Sequence, residues 1–182
     1  TPKGNLTTVM QANEYTVWAS EHLIKEKKDI DIIGEYVTAP LCDGEKVNQQ
    51  AAAFGERGLV RGAMCSFDLR GQPGTWQDAA VLVGIEPLLL ATFDDPAWVH
   101  ELLDILYRRK ATYVRSLAGA NYDLLELGGG DASNTVISPK IFRNFVAPYD
   151  AKLIELAHAA GQRIAYHTCG GMMRILEDIA EM

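Results

Sequence analysis

One short segment decides the fold: residues 122–131 read YDLLELGGGD. The run over residues 122–127 is largely apolar, which is typical of a short buried strand, and three glycines end it. Similar runs over residues 59–64 and 163–167 lie on either side of it along the chain. Helical patterns separate the three runs. Strands that alternate with helices predict a parallel sheet with helices on its faces.

The strongest helical pattern covers residues 96–117, with Pro96 in the first turn and Asp94 or Asp95 as the N-cap. Thr75 is the expected N-cap of an earlier helix. Ser138 and Pro139 open a further helix that restarts at Pro148 and continues to residue 158, and residues 172–182 form the last helix.

The first third of the chain has a different pattern. Residues 6–11 and 15–18 are rich in strand-forming side chains and predict a strand pair, followed by short helices over residues 25–36 and 48–56. We therefore divide the chain into residues 1–57, a strand pair with helices, and residues 58–182, where strands and helices alternate.

Two α/β architectures fit this alternation, an open doubly wound sheet and part of a (β/α)₈ TIM barrel. Three strands cannot close a barrel, and a whole barrel needs about 250 residues. The chain has 182 residues. Under the barrel interpretation we expect it to be a partial chain, an interior section of a larger domain.

Composition excludes several classes of protein. Lys and Arg number 17 against 24 Asp and Glu, for a net charge of −7, and no basic run occurs. Such a chain is a poor candidate for binding nucleic acid or an anionic membrane. No apolar stretch approaches a membrane span, and no signal peptide is recognisable. Three cysteines do not make a disulfide framework, so we expect a cytoplasmic protein.

Ligands of both architectures bind at the carboxyl ends of the parallel strands. This rule selects candidate residues without any motif. They are Cys65, Asp68 and Arg70 after the first strand, Glu126 and Asp131 after the second, and His167 and Cys169 after the third.

His167 and Cys169 form the sharpest pattern among these candidates. Residues two apart on an extended segment point to the same side, so the imidazole and the thiol can converge on one metal ion. Both groups are good zinc ligands. The alternative is a strand-end histidine beside a small packed cysteine, since two ligands alone do not define a zinc site.

The other candidates also have two interpretations each. Asp131 and Glu126 can act as catalytic or substrate-orienting carboxylates, or as a turn aspartate and a structural glutamate. Asp68 and Arg70 lie in a loop that could contact substrate, although loop side chains are often only solvated. The glycines after Leu127 lack the spacing of a phosphate loop.

Several segments resemble the uroporphyrinogen decarboxylase superfamily, which includes the decarboxylases and zinc-dependent cobalamin methyltransferases. The resemblance implies a (β/α)₈ barrel. The similar segments occur in the expected order: residues 1–4 with Trp18, and residues 93–96, 123–133, 138–148 and 161–170.

The resemblance points more to the methyltransferase branch. In that branch a His-x-Cys pair and a more C-terminal cysteine hold zinc; His167 and Cys169 match the pair, and no cysteine follows Cys169. The decarboxylases' N-terminal motif is absent, and residues 67–82 lack their Gly-Ala-Pro-Trp-Thr type of run. The implied activity is methyl transfer between a corrinoid, such as methylcobalamin, and a thiol-type acceptor.

Other expectations follow from the same resemblance. The partners would be a small-molecule substrate and a corrinoid protein, with a homodimer as an open arrangement. Two alternatives remain: a uroporphyrinogen decarboxylase acting on an acidic tetrapyrrole in porphyrin and heme biosynthesis, and a non-catalytic paralogue. The net charge of −7 disfavours an acidic substrate, although a local arginine cluster can outweigh net charge.

Overall fold

A computed structural model describes residues 1–67 and 72–182 of the chain. The two substrate residues predicted after the first strand, Asp68 and Arg70, lie outside the described residues. The remaining candidates are all within them.

The chain begins with the predicted strand pair. Strands β1 (Val9–Ala12) and β2 (Val17–Glu21) pair antiparallel, each somewhat later in the sequence than the pattern indicated. The side chain of Asn13 stabilises the turn, since its Oδ1 accepts hydrogen bonds from the backbone N–H groups of Tyr15 and Thr16, both at 2.9 Å.

Two helices follow the hairpin. Helix α1 spans Asp29–Tyr36, and helix α2 spans Gly44–Phe54 before a 3₁₀ turn, Gly55–Arg57. Helix α2 starts four residues before the predicted segment because the side chain of Asp43 caps it, accepting a hydrogen bond from the backbone N–H of Lys46 at 3.0 Å.

The three predicted parallel strands form one sheet in the order β3-β4-β5. Residues Ala63, Glu126 and Ala165 lie side by side across it, and Gly128 pairs with His167. The carboxyl ends of the strands therefore share one edge. The strands are β3 (Arg61–Ala63), β4 (Leu124–Gly128) and β5 (Ile164–His167).

Helices separate these strands, as predicted, but they are more numerous than the pattern indicated. Three helices follow β3, namely α3 (Thr75–Val83), α4 (Ile85–Asp94) and α5 (Pro96–Arg115). A 3₁₀ turn (Gly130–Ala132), α6 (Pro139–Ile141), a π-helical segment (Phe142–Val146) and α7 (Ala147–Ala159) follow β4. Helix α8 (Leu176–Ala180) follows β5.

The predicted N-cap of α5 is confirmed, whereas the prediction that Thr75 caps α3 is wrong. Asp95 Oδ1 accepts a hydrogen bond from the backbone N–H of Trp98 at 3.1 Å. The N-cap position of α3 is Gly74, and Thr75 is the first helical residue. A side-chain cap needs the extended backbone of the residue before the helix, which Gly74 supplies in place of Thr75.

The two faces of the parallel sheet differ in character. Leu125 and Leu127 pack with helix residues such as Val114 and Leu153 in a buried apolar cluster. Side chains alternate along a strand, so Glu126 projects from the opposite face, which Ala63 and Ala165 leave exposed. The sheet thus has one apolar helix-covered face and one polar face.

A second apolar cluster joins the N-terminal segment to the rest of the chain. Ile24, Ile30 and Ile33 pack in one cluster with Trp76 and Leu88. The division at residue 57 stays a prediction, because packing in one cluster does not place a boundary.

No helix among residues 1–67 and 72–182 is long and apolar enough to cross a bilayer by itself. Helices α3 and α4 pass that test together, as a pair bent by 105°.

Candidate active site at the carboxyl edge of the sheet

The two predicted metal ligands, His167 and Cys169, come together at the carboxyl edge of the sheet. His167 is the last residue of β5, and its Nε2 lies 3.0 Å from Cys169 Sγ. The backbone joins this end to the glycine turn after β4, since the N–H of Gly129 donates to the carbonyl of His167 at 3.0 Å. The imidazole is partly exposed and the thiol is exposed, so both can be reached from solvent.

Glu126 lies behind the histidine on the polar face of the sheet. Its Oε1 is 3.5 Å from His167 Nδ1, and its Oε2 forms an ion pair with Arg61 of β3. The glutamate side chain is only 12% exposed, so the surrounding strands fix its position. A carboxylate beside Nδ1 orients an imidazole so that Nε2 is free to bind.

Gln72 completes the arrangement around the pair. Its Nε2 lies 3.1 Å from His167 Nε2 and 2.9 Å from Cys169 Sγ. Its Oε1 accepts a hydrogen bond from the backbone N–H of Gly130. An amide nitrogen only donates, so His167 Nε2 is the acceptor and the imidazole proton sits on Nδ1, facing Glu126.

The glycine turn after β4 allows these segments to approach closely. A Cβ on Gly130 would lie 3.2 Å from both Cβ and Sγ of Cys169, and Gly128 has a φ of +99°, in the region that favours glycine. Backbone packing accounts for glycine at these positions without a bound phosphate.

Asp131 is held by helix α3. Its Oδ2 accepts a hydrogen bond from Gln77 Nε2 at 2.7 Å, and its backbone N–H donates to Gln77 Oε1 at 3.0 Å. Trp76 Nε1 donates to the Asp131 carbonyl at 3.0 Å. These bonds fix the carboxylate next to the site, and its role towards a substrate stays a prediction.

A buried ion pair lies beneath the end of β3. Lys110 Nζ is 2.6 Å from Asp78 Oδ2 and donates to the carbonyl of Cys65 at 2.5 Å. Burial raises the pKa of the Cys65 thiol, with the cations Lys110 and Arg109 opposing that effect. The Cys65 side chain is thus a packed neutral thiol rather than a member of the His167 site.

The donor chemistry of the pair fits two ligands of a zinc site. Ligand nitrogen and sulfur atoms on a tetrahedral zinc lie about 3.5 Å apart, from bonds of about 2.0 and 2.3 Å. The observed separation of 3.0 Å needs only a small opening. Among residues 1–67 and 72–182, no group of three or more His, Cys, Asp or Glu side chains is arranged to hold a metal.

The sequence patterns pointed to His167, Cys169 and Glu126, but they missed Gln72, Gln77 and Arg61. Arg61 lies within a predicted strand, where alternation could have placed it on the face of Glu126. The two glutamines follow no motif. Their position after the first parallel strand was the only available signal.

Helices that alternate with parallel strands, with a polar cluster at the strand ends, define an α/β protein. The sequence model of the family described as uroporphyrinogen decarboxylase (URO-D) matches residues 71–182. The chain belongs to this family. The α/β fold of barrel type and the superfamily resemblance are thereby confirmed.

A comparison with solved structures supports the same fold. A methyltransferase from Methanosarcina mazei superimposes with a TM-score of 0.69 at 18% sequence identity, covering 97% of this chain and 50% of the other. The chain thus spans about half the length of that protein. A comparison with curated proteins finds no match.

Proposed function

We propose that this protein is a zinc-dependent methyltransferase that moves a methyl group between a corrinoid and a thiol-type acceptor. One observation carries the proposal: His167 Nε2 and Cys169 Sγ converge 3.0 Å apart at the carboxyl end of β5. The solved methyltransferase with a similar fold favours the same branch of the family.

The residues of the site would divide the work as follows. His167 and Cys169 hold the metal, while Glu126 keeps the imidazole in the tautomer whose Nε2 lone pair faces outward. Arg61 in turn holds the carboxylate of Glu126. Bound zinc would favour the thiolate form of an acceptor at neutral pH.

Loss of the acceptor's S–H proton to a base would give the thiolate, and methyl transfer would then form the S–C bond. The corrinoid would supply the methyl group as co-substrate and would keep the electron pair of the broken bond. Asp131 lies at the same edge of the sheet, where a hydrogen bond from Gln77 Nε2 holds its carboxylate. In this proposal the carboxylate orients the acceptor or takes its proton. A corrinoid-carrying protein is the expected partner.

Metal analysis of the purified protein tests the proposal. We expect about one zinc per chain in the wild type, a strong loss in His167→Ala and no loss in His158→Ala, whose histidine is exposed on α7. A protein without zinc-binding capacity in all three forms would refute the proposal. Methylcobalamin with 2-mercaptoethanol then serves as the probe of methyl transfer, followed by cobalamin absorption.

A further inference from the structure

Gln72 has a feature that a simple packing residue does not need. Its one amide nitrogen is within hydrogen-bond distance of both His167 Nε2, at 3.1 Å, and Cys169 Sγ, at 2.9 Å. The lone pairs of these two atoms are the ones that a metal would use. The amide therefore satisfies both metal-binding atoms at once.

The orientation of this amide is determined by its other end. The backbone N–H of Gly130 is a donor, so the atom that faces it must be the amide oxygen of Gln72. Turning the amide over would place its NH₂ group against the N–H of Gly130, with no acceptor between them. The nitrogen, which has no free lone pair for a metal, is thus held towards His167 and Cys169.

We propose that Gln72 is a positioning residue for the ligand pair His167 and Cys169. Its amide bonds both ligand atoms when no metal is bound, and it moves away when a metal binds. This inference rests on the proposed function, because it takes His167 and Cys169 as metal ligands. The amide stabilises the metal-free pair by hydrogen bonds to both atoms. Metal binding must break both of these hydrogen bonds, so Gln72 lowers the affinity of the pair for the metal.

The test measures zinc affinity by competition with a chromophoric chelator. We expect Gln72→Ala and Gln72→Met to bind zinc about tenfold more tightly than the wild type, because two net hydrogen bonds no longer compete. Gln72→Met keeps the length of the side chain, so it separates the loss of the amide from the loss of bulk. Gln49→Ala is the matched control, since Gln49 lies on α2 and its amide donates to Glu45.

A second readout follows the amide itself. In side-chain ¹⁵N NMR spectra, the Gln72 amide signal, assigned by its loss in Gln72→Ala, should shift when zinc is added, and the Gln49 signal should not. A Gln72 signal that stays in place while zinc binds would overturn the inference.

The outcomes separate this inference from the proposed function. Suppose that the wild type binds zinc through His167 and that both Gln72 variants bind zinc with wild-type or weaker affinity. The competition between Gln72 and the metal is then refuted, and the proposed function stands. Zinc binding by the Gln72 variants above that of the wild type supports both. Absence of zinc binding in every variant refutes both.

Discussion

Glu126 connects two strands through a single side chain. It receives Arg61 on one oxygen and faces His167 Nδ1 with the other, from a position that is 9% exposed as a whole residue. A carboxylate placed this way raises the basicity of a metal-binding imidazole and fixes its ring. The contribution of Glu126 is therefore measurable as a change in the affinity of the site for zinc.

Replacement of Glu126 by Gln keeps the shape of the side chain and removes its charge. We expect zinc affinity to fall about tenfold to a hundredfold, the range found when such supporting carboxylates are removed. Chelator competition gives the number, and Glu155→Gln on the exposed side of α7 is the control. Equal affinity in the two variants would show that Glu126 does not support the histidine.

The site itself could be predicted only in part at this scale. His167 and Cys169 followed from the strand-end rule, because they lie at and just after the end of β5. Glu126 was expected at the tip of its strand but is the middle residue of β4. Gln72 bonds Gly130 across a separation of 58 residues, and no local pattern encodes such a contact. Asp131 was singled out, but its bonds with Gln77 depend on where α3 packs.

At the scale of elements, the strands and the long helix α5 were predictable because their signals are local. Pro96 and Asp95 mark the start of α5. Short apolar runs, separated by helical patterns, mark the strands. The π-helical segment Phe142–Val146 was not predicted. Pro148 lacks the N–H that a continuous α-helix would use at this point. Whether the chain forms a π-helical turn there depends on the packing of the buried Phe142 and Phe145, which local sequence does not encode.

The packing of α3 against the glycine turn makes a prediction about Gly74. A Cβ at this position would lie 2.6 Å from the carbonyl oxygen of Gly128, so Gly74→Ala pushes the start of α3 away from β4. We expect a loss of about 1–3 kcal/mol in the free energy of unfolding, the usual cost of overpacking. Urea denaturation measures it.

Gly44→Ala provides the matched control for Gly74→Ala. Gly44 is the first residue of α2, and a Cβ there meets no atom within 4 Å. The control should be neutral or slightly stabilising, because alanine favours a helix over glycine. Equal stability of the two variants would contradict the close approach of α3 to the turn.

At the scale of the whole molecule, charged groups are buried between the helices and the sheet. Lys110 and Asp78 are ion-paired with side chains 0% and 1% exposed. Asp150 of α7 is also buried, and it accepts a hydrogen bond from Tyr166 OH of β5 at 2.7 Å. The helix layer and the sheet are thus joined by polar contacts as well as by apolar packing.

Burial makes Asp150 a source of pH-dependent stability. Burial raises the pKa of its carboxyl from 3.8 to about 6, while the Tyr166 hydrogen bond and Lys110 oppose the rise. The folded state therefore binds the proton more tightly than the unfolded state. The contribution of Asp150 is most favourable below the unfolded pKa and is lost as the pH rises through the folded pKa, by about 3 kcal/mol in total.

Asp150→Asn removes this titration and keeps an oxygen that accepts from Tyr166. Relative to the wild type, the variant should gain stability from about pH 4 to pH 7, by up to about 3 kcal/mol, and the gain should then level off. Urea denaturation across this pH range measures the difference, with exposed Asp94→Asn as the control. A difference between Asp150→Asn and the wild type that does not change with pH would mean that Asp150 keeps an ordinary pKa. The cost of burying this carboxylate would then be offset by Lys110 and Tyr166. The contribution of Asp150 to the free energy of unfolding would not depend on pH.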